Sequence, residues 1–368
     1  MHILHLINHV REIGNGIVNV AVDIACLQAK DGHNVAIASA GGEYEILLAR
    51  YNVKHFKLDQ SRNPLNITKA AWYYRAILQE FQPDIVHVHM MTGAVLARCL
   101  KYGYKYSLVA TVHNEFQRSA VLMGLADLVI VVSQAVYQSM ARRGIPKAKM
   151  RVVGNGTLGS PRCSQIKEYQ PILLKRPAIT TVAGMYRRKG IGELIDAFAL
   201  IAKDNPEAHL YLVGDGPERK SLETQALNTP FADRIHFEGF QSKPQSYMLA
   251  TDIFVLASHY ESFGLVIPEA REAGCAIIGS NVDGIPETLD DGQAGILVPA
   301  KDSRTLAATL AQLLNNPELL QMWRNRATQK LERLSVNRVY IETLEVYHEL
   351  KPHHIYPDKF VQATVNSK

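Results

Sequence analysis

Glu261 and Glu269 stand with seven residues between them in the stretch Ser258-His259-Tyr260-Glu261-Ser262-Phe263-Gly264-Leu265-Val266-Ile267-Pro268-Glu269-Ala270. The apolar run Ile253-Phe254-Val255-Leu256-Ala257 before it reads as a strand, and Val266 to Gly274 as a helix. Glu261 then sits in a strand-to-helix turn and Glu269 on the helix. Gly264 lets a ligand approach backbone N–H groups closely, and the start of a helix favours anions. Taken singly, glutamates are ordinarily solvated surface residues. Two carboxylates flanking a ring of amides suit a ligand with hydroxyls at both ends and phosphates between them. A nucleotide-sugar is such a ligand.

Other residues fit the same ligand. Arg187-Arg188-Lys189-Gly190 follows an apolar strand-like run. Arginine binds phosphate oxygens bidentately and lysine adds a point charge, so this stretch forms a diphosphate clamp rather than a merely solvated basic turn. Gly14 and Gly16 lie between the first strand and the first helix, where backbone amides can face a phosphate or a sugar. The dinucleotide pattern G-x-G-x-x-G would need glycine at position 19, which is Asn19. His113 ends a strand and is placed for a ligand. His87 and His89 share a strand face at a spacing open to a metal, but no carboxylate or cysteine is near them in sequence, which favours core or cleft histidines. No Asp-x-Asp occurs, so the usual acidic pair for a divalent ion at a sugar-nucleotide site is missing.

These residues need a scaffold. At 368 residues the chain suits two domains. Its composition, 47% hydrophobic and 20% charged, is that of a globular protein. The net charge of +5 is uneven, because residues 1–165 hold 18 Lys and Arg against 10 Asp and Glu. That excess points to an anionic or lipid-linked partner, or serves solubility alone. Cys26, Cys99, Cys163 and Cys275 are scattered, which argues against a zinc ribbon or a disulfide scaffold and fits a reducing compartment. The start Met1-His2-Ile3-Leu4-His5 lacks a basic leader, and no apolar run is long enough to span a membrane. A cytoplasmic location is expected.

Strands are expected at Ile3–Val10, Val35–Ser39, His55–Leu58, Ile85–Val88, Leu108–Val112, Leu128–Val132 and Met150–Val153, with helices such as Ile17–Lys30, Asn66–Phe81 and Gln134–Arg142 between them. Runs like Leu128-Val129-Ile130-Val131-Val132 are apolar throughout, the signature of parallel strands covered on both faces. The turn-rich segment Gly154-Asn155-Gly156-Thr157-Leu158-Gly159-Ser160-Pro161 breaks the rhythm, and a linker is expected near 155–175. The alternation restarts with strands at Ala178–Ala183, Leu210–Val213, Ile235–Glu238, Ile253–Ala257 and Ala276–Gly279. Helices near Asp302–Leu314, Pro317–Arg333 and Asn337–Leu350 follow, and the tail from Pro352 is expected to be loosely held. The fold class is α/β, with two doubly wound parallel-sheet domains facing one another across a cleft.

The series of motifs resembles retaining glycosyltransferase family four. Glu261-x7-Glu269 enclosing Ser262-Phe263-Gly264 is similar to its signature. Gly14-Asn15-Gly16, Gly32-His33-Asn34-Val35, Pro83-Asp84-Ile85-Val86-His87-Val88-His89, Thr111-Val112-His113, Asn155-Gly156, Lys189-Gly190, Gly214-x-Gly216, Gly284-Ile285-Pro286-Glu287 and Gly295-Ile296-Leu297-Val298 resemble the family's other segments in order. Each is weak alone, and together they are specific over nearly the whole chain. The resemblance implies the GT-B fold of two Rossmann-like domains. Expected units are 1–165 on the acceptor side and 166–336 for the nucleotide-sugar, with 337–368 crossing back to the first and ending in a tail.

The resemblance also implies roles. Glu269 would bind the ribose hydroxyls and Glu261 those of the transferred sugar. Amides from Phe263, Gly264 and Leu265 would meet sugar and diphosphate, as would the loop of Gly14 and Gly16. Lys189, with Arg187 or Arg188, would neutralise the leaving diphosphate, and His113 would touch the donor sugar. The chain departs from the family at Gly184, which Met185 follows where the family has arginine, in a loop one residue shorter; Arg187 is taken as the clamp. The implied activity is metal-independent, retaining transfer from a nucleoside-diphosphate sugar, without a cofactor, to a glycan or lipid-linked acceptor. The setting expected is surface polysaccharide or glycolipid assembly, with peripheral contact at the inner membrane face through the basic first half. No nucleic-acid partner is expected. Two other readings stand beside it: a nucleotide-sugar epimerase on the same architecture, and a non-catalytic nucleotide-sugar-binding partner.

Overall fold

The computed structural model describes residues 1–61 and 63–350. The expected tail from Pro352 lies outside them. Thirteen named strands form two all-parallel sheets. The first sheet contains β1 (His2–Leu6), β2 (Asn34–Ser39), β3 (Lys54–Lys57), β4 (Ile85–Val88), β5 (Ser107–Val112), β6 (Leu128–Val131) and β7 (Met150–Val152), in the order β3-β2-β1-β4-β5-β6-β7. The second contains β8 (Ala178–Val182), β9 (His209–Val213), β10 (Ile235–Gly239), β11 (Ile253–Leu256), β12 (Ala276–Ser280) and β13 (Ile296–Val298), in the order β10-β9-β8-β11-β12-β13. In each sheet the order reverses at one place, between β1 and β4 and between β8 and β11. The crossover helices diverge there and leave a crevice at the carboxyl ends of the strands.

The central strands are buried on both faces, which is why their sequences are apolar without alternation. Tyr74, Ile77, Leu78 and Leu108 belong to the core on one side of the first sheet. On the other side Ile3, Val20, Ile24, Val109 and Ile130 pack with Val339, Val346 and Tyr347. Those last three come from the helix Val336–Leu350, which crosses back from the second half. Arg151 on β7 holds it through Glu349, with Nη2 2.6 Å from Oε2. Arg338 Nη2 donates to the Gly154 and Asn155 carbonyls at 2.6 and 3.1 Å.

Several expected extents are corrected. β1 ends at Leu6 rather than Val10, because polar Asn8 and His9 follow and the chain turns out of the ladder. The helix expected over Pro317–Arg333 stops at Ala327. Lys330 adopts a left-handed φ of 55°, and a short 3₁₀ turn, Leu331–Leu334, replaces the last part. That turn brings Leu334 beneath the linker. Its carbonyl accepts from Thr157 N at 2.9 Å and Leu158 N at 3.1 Å. A Cβ on Gly156 would stand 2.5 Å from the same oxygen, so Asn155-Gly156 is glycine at the second position for close approach.

Candidate functional site

The turn after β11 carries Glu261 at the crevice of the second sheet. Lys189 Nζ pairs with Glu261 Oε2. Arg188 Nη1 stands 3.9 Å from the same oxygen, and Ser258 Oγ donates to it at 3.4 Å. Lys189 reaches this position because the 3₁₀ turn Arg187–Lys189 lies directly on the end of β11. Gly190 (φ +64°) closes that turn, and a Cβ there would meet the Ala257 carbonyl oxygen at 1.9 Å. No other residue allows the approach. His259 N donates to the Arg188 carbonyl at 2.7 Å, and His259 Nε2 lies 2.8 Å from Glu193 Oε1. The two contacts tie the Glu261 turn to the Arg188 loop and to the helix Ile191–Ile201 that follows it.

The three basic residues are not equivalent. Arg187 is exposed. Arg188 is half-buried, with its guanidinium 5.8 Å from the Phe116 ring centre. Met185, standing where the family has arginine, is fully buried, so it supplies no charge to the crevice. It packs under Gly214-x-Gly216, where a Cβ on Gly216 would lie 2.6 Å from the Met185 carbonyl oxygen.

The first half faces this turn. The first helix, Gly16–Lys30, starts at the crevice with Asn15 Oδ1 accepting from Ile17 N at 3.1 Å. Gly14 (φ +67°) would place a Cβ 3.5 Å from Phe240, and Gly16 would place one 2.5 Å from Leu265 Cδ1. The glycine loop therefore lies against the second half at Phe240 and at Leu265. Phe263 points into the core rather than outward; it is buried with the first sheet's cluster. Gly264 (φ +86°) makes the sharp bend before the helix Val266–Glu272. The Asp283-Gly284 loop braces the turn: Glu261 N donates to Asp283 Oδ2 at 3.0 Å and Gly284 N to the Glu261 carbonyl at 3.0 Å.

Glu269 has different neighbours. Its carboxylate accepts from Gln245 Nε2 at 3.2 Å. It lines a cavity of about 300 Å³ bounded by the linker residues Thr157 to Pro161 and Cys163 to Ile166, with Gln245 and Glu272. Burial pushes its carboxyl up to about 7, with Asp23 and Glu272 adding to the rise and Arg162 opposing it. Arg162 is itself held by Asp23 through two bonds of 2.9 Å, to Oδ1 and Oδ2. Gln245 Oε1 is buried without a hydrogen-bond partner among the described residues.

His113 follows β5 directly, beside the crevice. It belongs to a connected group with His5 on β1, His87 on β4 and His89 just after β4. His113 Nε2 is 3.0 Å from His89 Nδ1, and His89 Nε2 is 3.0 Å from His5 Nδ1. Burial holds His5 down to about 4 and His113 to about 3, so both rings are neutral near pH 7. Ligand-capable atoms of His5, His87 and His89 lie within 4.8 Å of one another. Every nitrogen of these three rings already has a hydrogen-bond partner: His5 Nε2 on Gln28, His87 on Tyr347 and Thr111. A metal would have to break that network.

A family model described as Glycosyltransferase Family 4 matches residues 14–157, and one described as Glycosyl transferases group 1 matches residues 163–330. The chain belongs to the group 1, family-four glycosyltransferases. N-acetyl-alpha-D-glucosaminyl L-malate synthase of Bacillus anthracis is 26% identical to this glycosyltransferase over 293 residues, spanning 74% of the chain and 77% of its own length. The lipopolysaccharide core biosynthesis glycosyltransferase LpsE of Rhizobium meliloti (strain 1021) is 24% identical over 304 residues, 80% of this chain and 84% of its own. Among solved structures, Anabaena HepE in complex with UDP and glucose superposes with a TM-score of 0.80 at 21% identity, covering 95% of this chain and all of that one. WaaG, a glycosyltransferase involved in lipopolysaccharide biosynthesis, gives 0.76 at 15% identity, covering 94% of this chain and 99% of its own. The fold is GT-B.

In this glycosyltransferase the crevice gathers Glu261, Lys189, Arg188, Gly14, Gly16, Gly264 and Leu265, with His113 at its edge. Arg187 is exposed, the Phe263 side chain is buried with the first sheet's core, and Glu269 faces the linker cavity. The sequence reading missed the polar contacts between the halves. Ser262 Oγ donates to buried Glu115 Oε2 at 2.7 Å. Glu287 accepts from Gln134 N at 2.8 Å and Ala135 N at 3.2 Å, at the start of the helix Gln134–Arg142. Glu287 was visible in its Gly284-Ile285-Pro286-Glu287 motif, but its partner more than 140 residues away was not.

Proposed function

We propose that this glycosyltransferase moves a sugar from a nucleoside-diphosphate sugar to a glycan or lipid-linked acceptor, with retention at the anomeric carbon. The observation that carries the reading is the Lys189–Glu261 pair, with Arg188 beside it, at the crevice between β8 and β11. The two partners exchange one another for the donor. Glu261 accepts from sugar hydroxyls while Lys189 and an arginine meet the diphosphate. Negative charge grows on the diphosphate as the glycosyl bond breaks, and cations already aimed at it lower the barrier. The acceptor oxygen attacks on the face the phosphate leaves, and the departing phosphate takes its proton. HepE, solved with UDP and glucose, supports a UDP-sugar as the first donor to try. Calorimetry against UDP-, GDP- and ADP-sugars identifies the donor, and binding of none of them overturns the reading.

Lys189 and Arg188 supply the positive charge that a divalent ion gives elsewhere. Turnover of the identified donor is therefore expected to survive exhaustive chelation. A loss that magnesium or manganese restores sinks metal independence.

The acceptor is proposed to be lipid-linked and to lie at the cytoplasmic membrane face. Among the described residues no helix is long and apolar enough to cross a membrane. Val121, Leu122 and Leu125 are nevertheless exposed on the 3₁₀ segment Arg118–Leu125, beside exposed Arg118, Arg142 and Arg143. Apolar side chains ringed by cations suit an anionic surface. Sedimentation with phosphatidylglycerol vesicles is expected at low salt and to weaken at high salt. Equal and negligible binding at both leaves these cations a solubility role.

A further inference from the structure

We propose that Gln28 and Tyr347, acting through His5 and His89, hold His113 in one neutral tautomer whose bare Nδ1 accepts a hydrogen bond from a sugar hydroxyl of the donor. The hydroxyl part rests on the donor reading above. The tautomer part follows from the hydrogen-bond chain.

Gln28 Oε1 lies 2.7 Å from His5 Nε2, and Gln28 Nε2 lies 3.3 Å from the Tyr347 hydroxyl. An amide oxygen only accepts, so His5 carries its proton on Nε2 and leaves Nδ1 bare. That Nδ1 can only accept, and the atom 3.0 Å away is His89 Nε2. His89 therefore donates from Nε2 and is bare at Nδ1. His113 Nε2, 3.0 Å from that atom, must donate in its turn. The proton of His113 is thus on Nε2, and its Nδ1 is an acceptor. Nδ1 has no partner among the described residues and is not sealed from solvent.

The other arm runs in the same sense. The Gln28 amide nitrogen donates to Tyr347, whose hydroxyl donates to His87 Nδ1 at 2.6 Å. His87 Nε2 then donates to Thr111 Oγ1 at 2.6 Å. Each buried group gives and receives once, so no single bond can reverse alone. To turn His113 over, the Gln28 amide must rotate and every bond of both arms must invert. Protonating His5 or His89 would set two N–H groups against each other. His5, His87, His89 and Tyr347 are all buried, which denies water as a substitute partner. The orientation of a cleft residue is in this way decided by an amide and a phenol that do not touch the ligand. Sugar hydroxyls both donate and accept, but the bare Nδ1 takes only the donated proton. His113 then reads the direction of that hydroxyl.

The test is a long-range ¹H–¹⁵N correlation on the unliganded, histidine-labelled protein between pH 6 and 8. His113 signals are assigned by their loss in His113→Asn. Wild type is expected to show one form, with Nε2 protonated and Nδ1 bare. Tyr347→Phe keeps the packing but frees the Gln28 amide, and a second His113 form protonated at Nδ1 is expected to appear. Turnover of UDP-glucose should fall roughly three- to tenfold, the worth of one hydrogen bond, with UDP affinity unchanged. A wild-type His113 protonated at Nδ1, or a Tyr347→Phe protein with the single form intact, overturns the relay whatever the activity. Failure of wild type to bind any UDP-, GDP- or ADP-sugar overturns the hydroxyl contact and the donor reading together, and the spectra still decide the relay.

Discussion

Lys189→Met is expected to lower turnover about 10²- to 10³-fold, with free UDP affinity reduced far less. A single preorganised donor aimed at developing charge is worth about that much. The ammonium belongs in this class because it is positioned before the donor arrives, by Glu261 and by the Gly190 turn against Ala257. Methionine matches the stem and removes the charge. It also leaves Glu261 in a half-buried site without its main partner, which costs stability. Kinetics must therefore be normalised to the folded fraction, and Lys189→Arg serves as the control that keeps the charge. A Lys189→Met enzyme that retains turnover within about threefold removes the diphosphate clamp from the mechanism.

The second large effect separates the two carboxylates. Glu261→Gln is expected to cost about one to two orders of magnitude in turnover, because a charge-assisted bond to the sugar is worth roughly 1.5–3 kcal/mol. Its UDP affinity should stay near wild type. Glu269→Gln should weaken donor and UDP alike, and so raise the Michaelis constant. The pH dependence divides them further. Burial raises the Glu269 carboxyl to about 7, so UDP affinity should climb from pH 6 to 8 as the accepting carboxylate forms. In Glu269→Gln that climb should vanish. Stability moves the other way. The folded carboxyl holds its proton more tightly than the unfolded one, so its contribution is fully present below about 4.5 and is lost as pH rises through about 7. Glu269→Gln should therefore gain melting temperature relative to wild type above pH 7. Equal loss of UDP affinity in both variants defeats the division, and no change in either removes the turn from the donor site.

Much of the scaffold was legible because buried parallel strands must be apolar throughout, as Leu128–Val131 is. Glycine positions were legible for a related reason: Gly156, Gly190 and Gly264 mark places where backbone or ligand comes close. The ends of elements were not. β1 stops at Leu6, where the loop holding Asn8 and His9 leaves the ladder, although apolar Ile7 and Val10 carry the strand pattern on past it. Of the three cations at 187–189, which ones face Glu261 depends on the twist of a short 3₁₀ turn. Periodicity carries no information at that length. Partners far apart in sequence were also invisible. Glu287 at the start of Gln134–Arg142, and Tyr347 between Gln28 and His87, exist only once both halves are folded. The histidines at 87 and 89 read correctly as interior residues, but what they connect was hidden in Gln28 and Tyr347, two residue types that carry no motif.

The helix Val336–Leu350 has a consequence for how the protein is made. Tyr347 is wholly buried in the layer that also contains Ile3, Val20 and Ile24. Those residues leave the ribosome early, and their last neighbour emerges roughly 195 residues after β7 ends at Val152. At about 5–20 residues per second that interval is roughly 10–40 seconds. For that time the part of this face that Val339, Val346 and Tyr347 close, formed by Ile3, Val109 and Ile130 with Val20 and Ile24 of the first helix, lacks its cover. The protein's first half is therefore a unit in space that is not a unit in time, and the nascent chain must keep that face from other chains until its own far segment arrives.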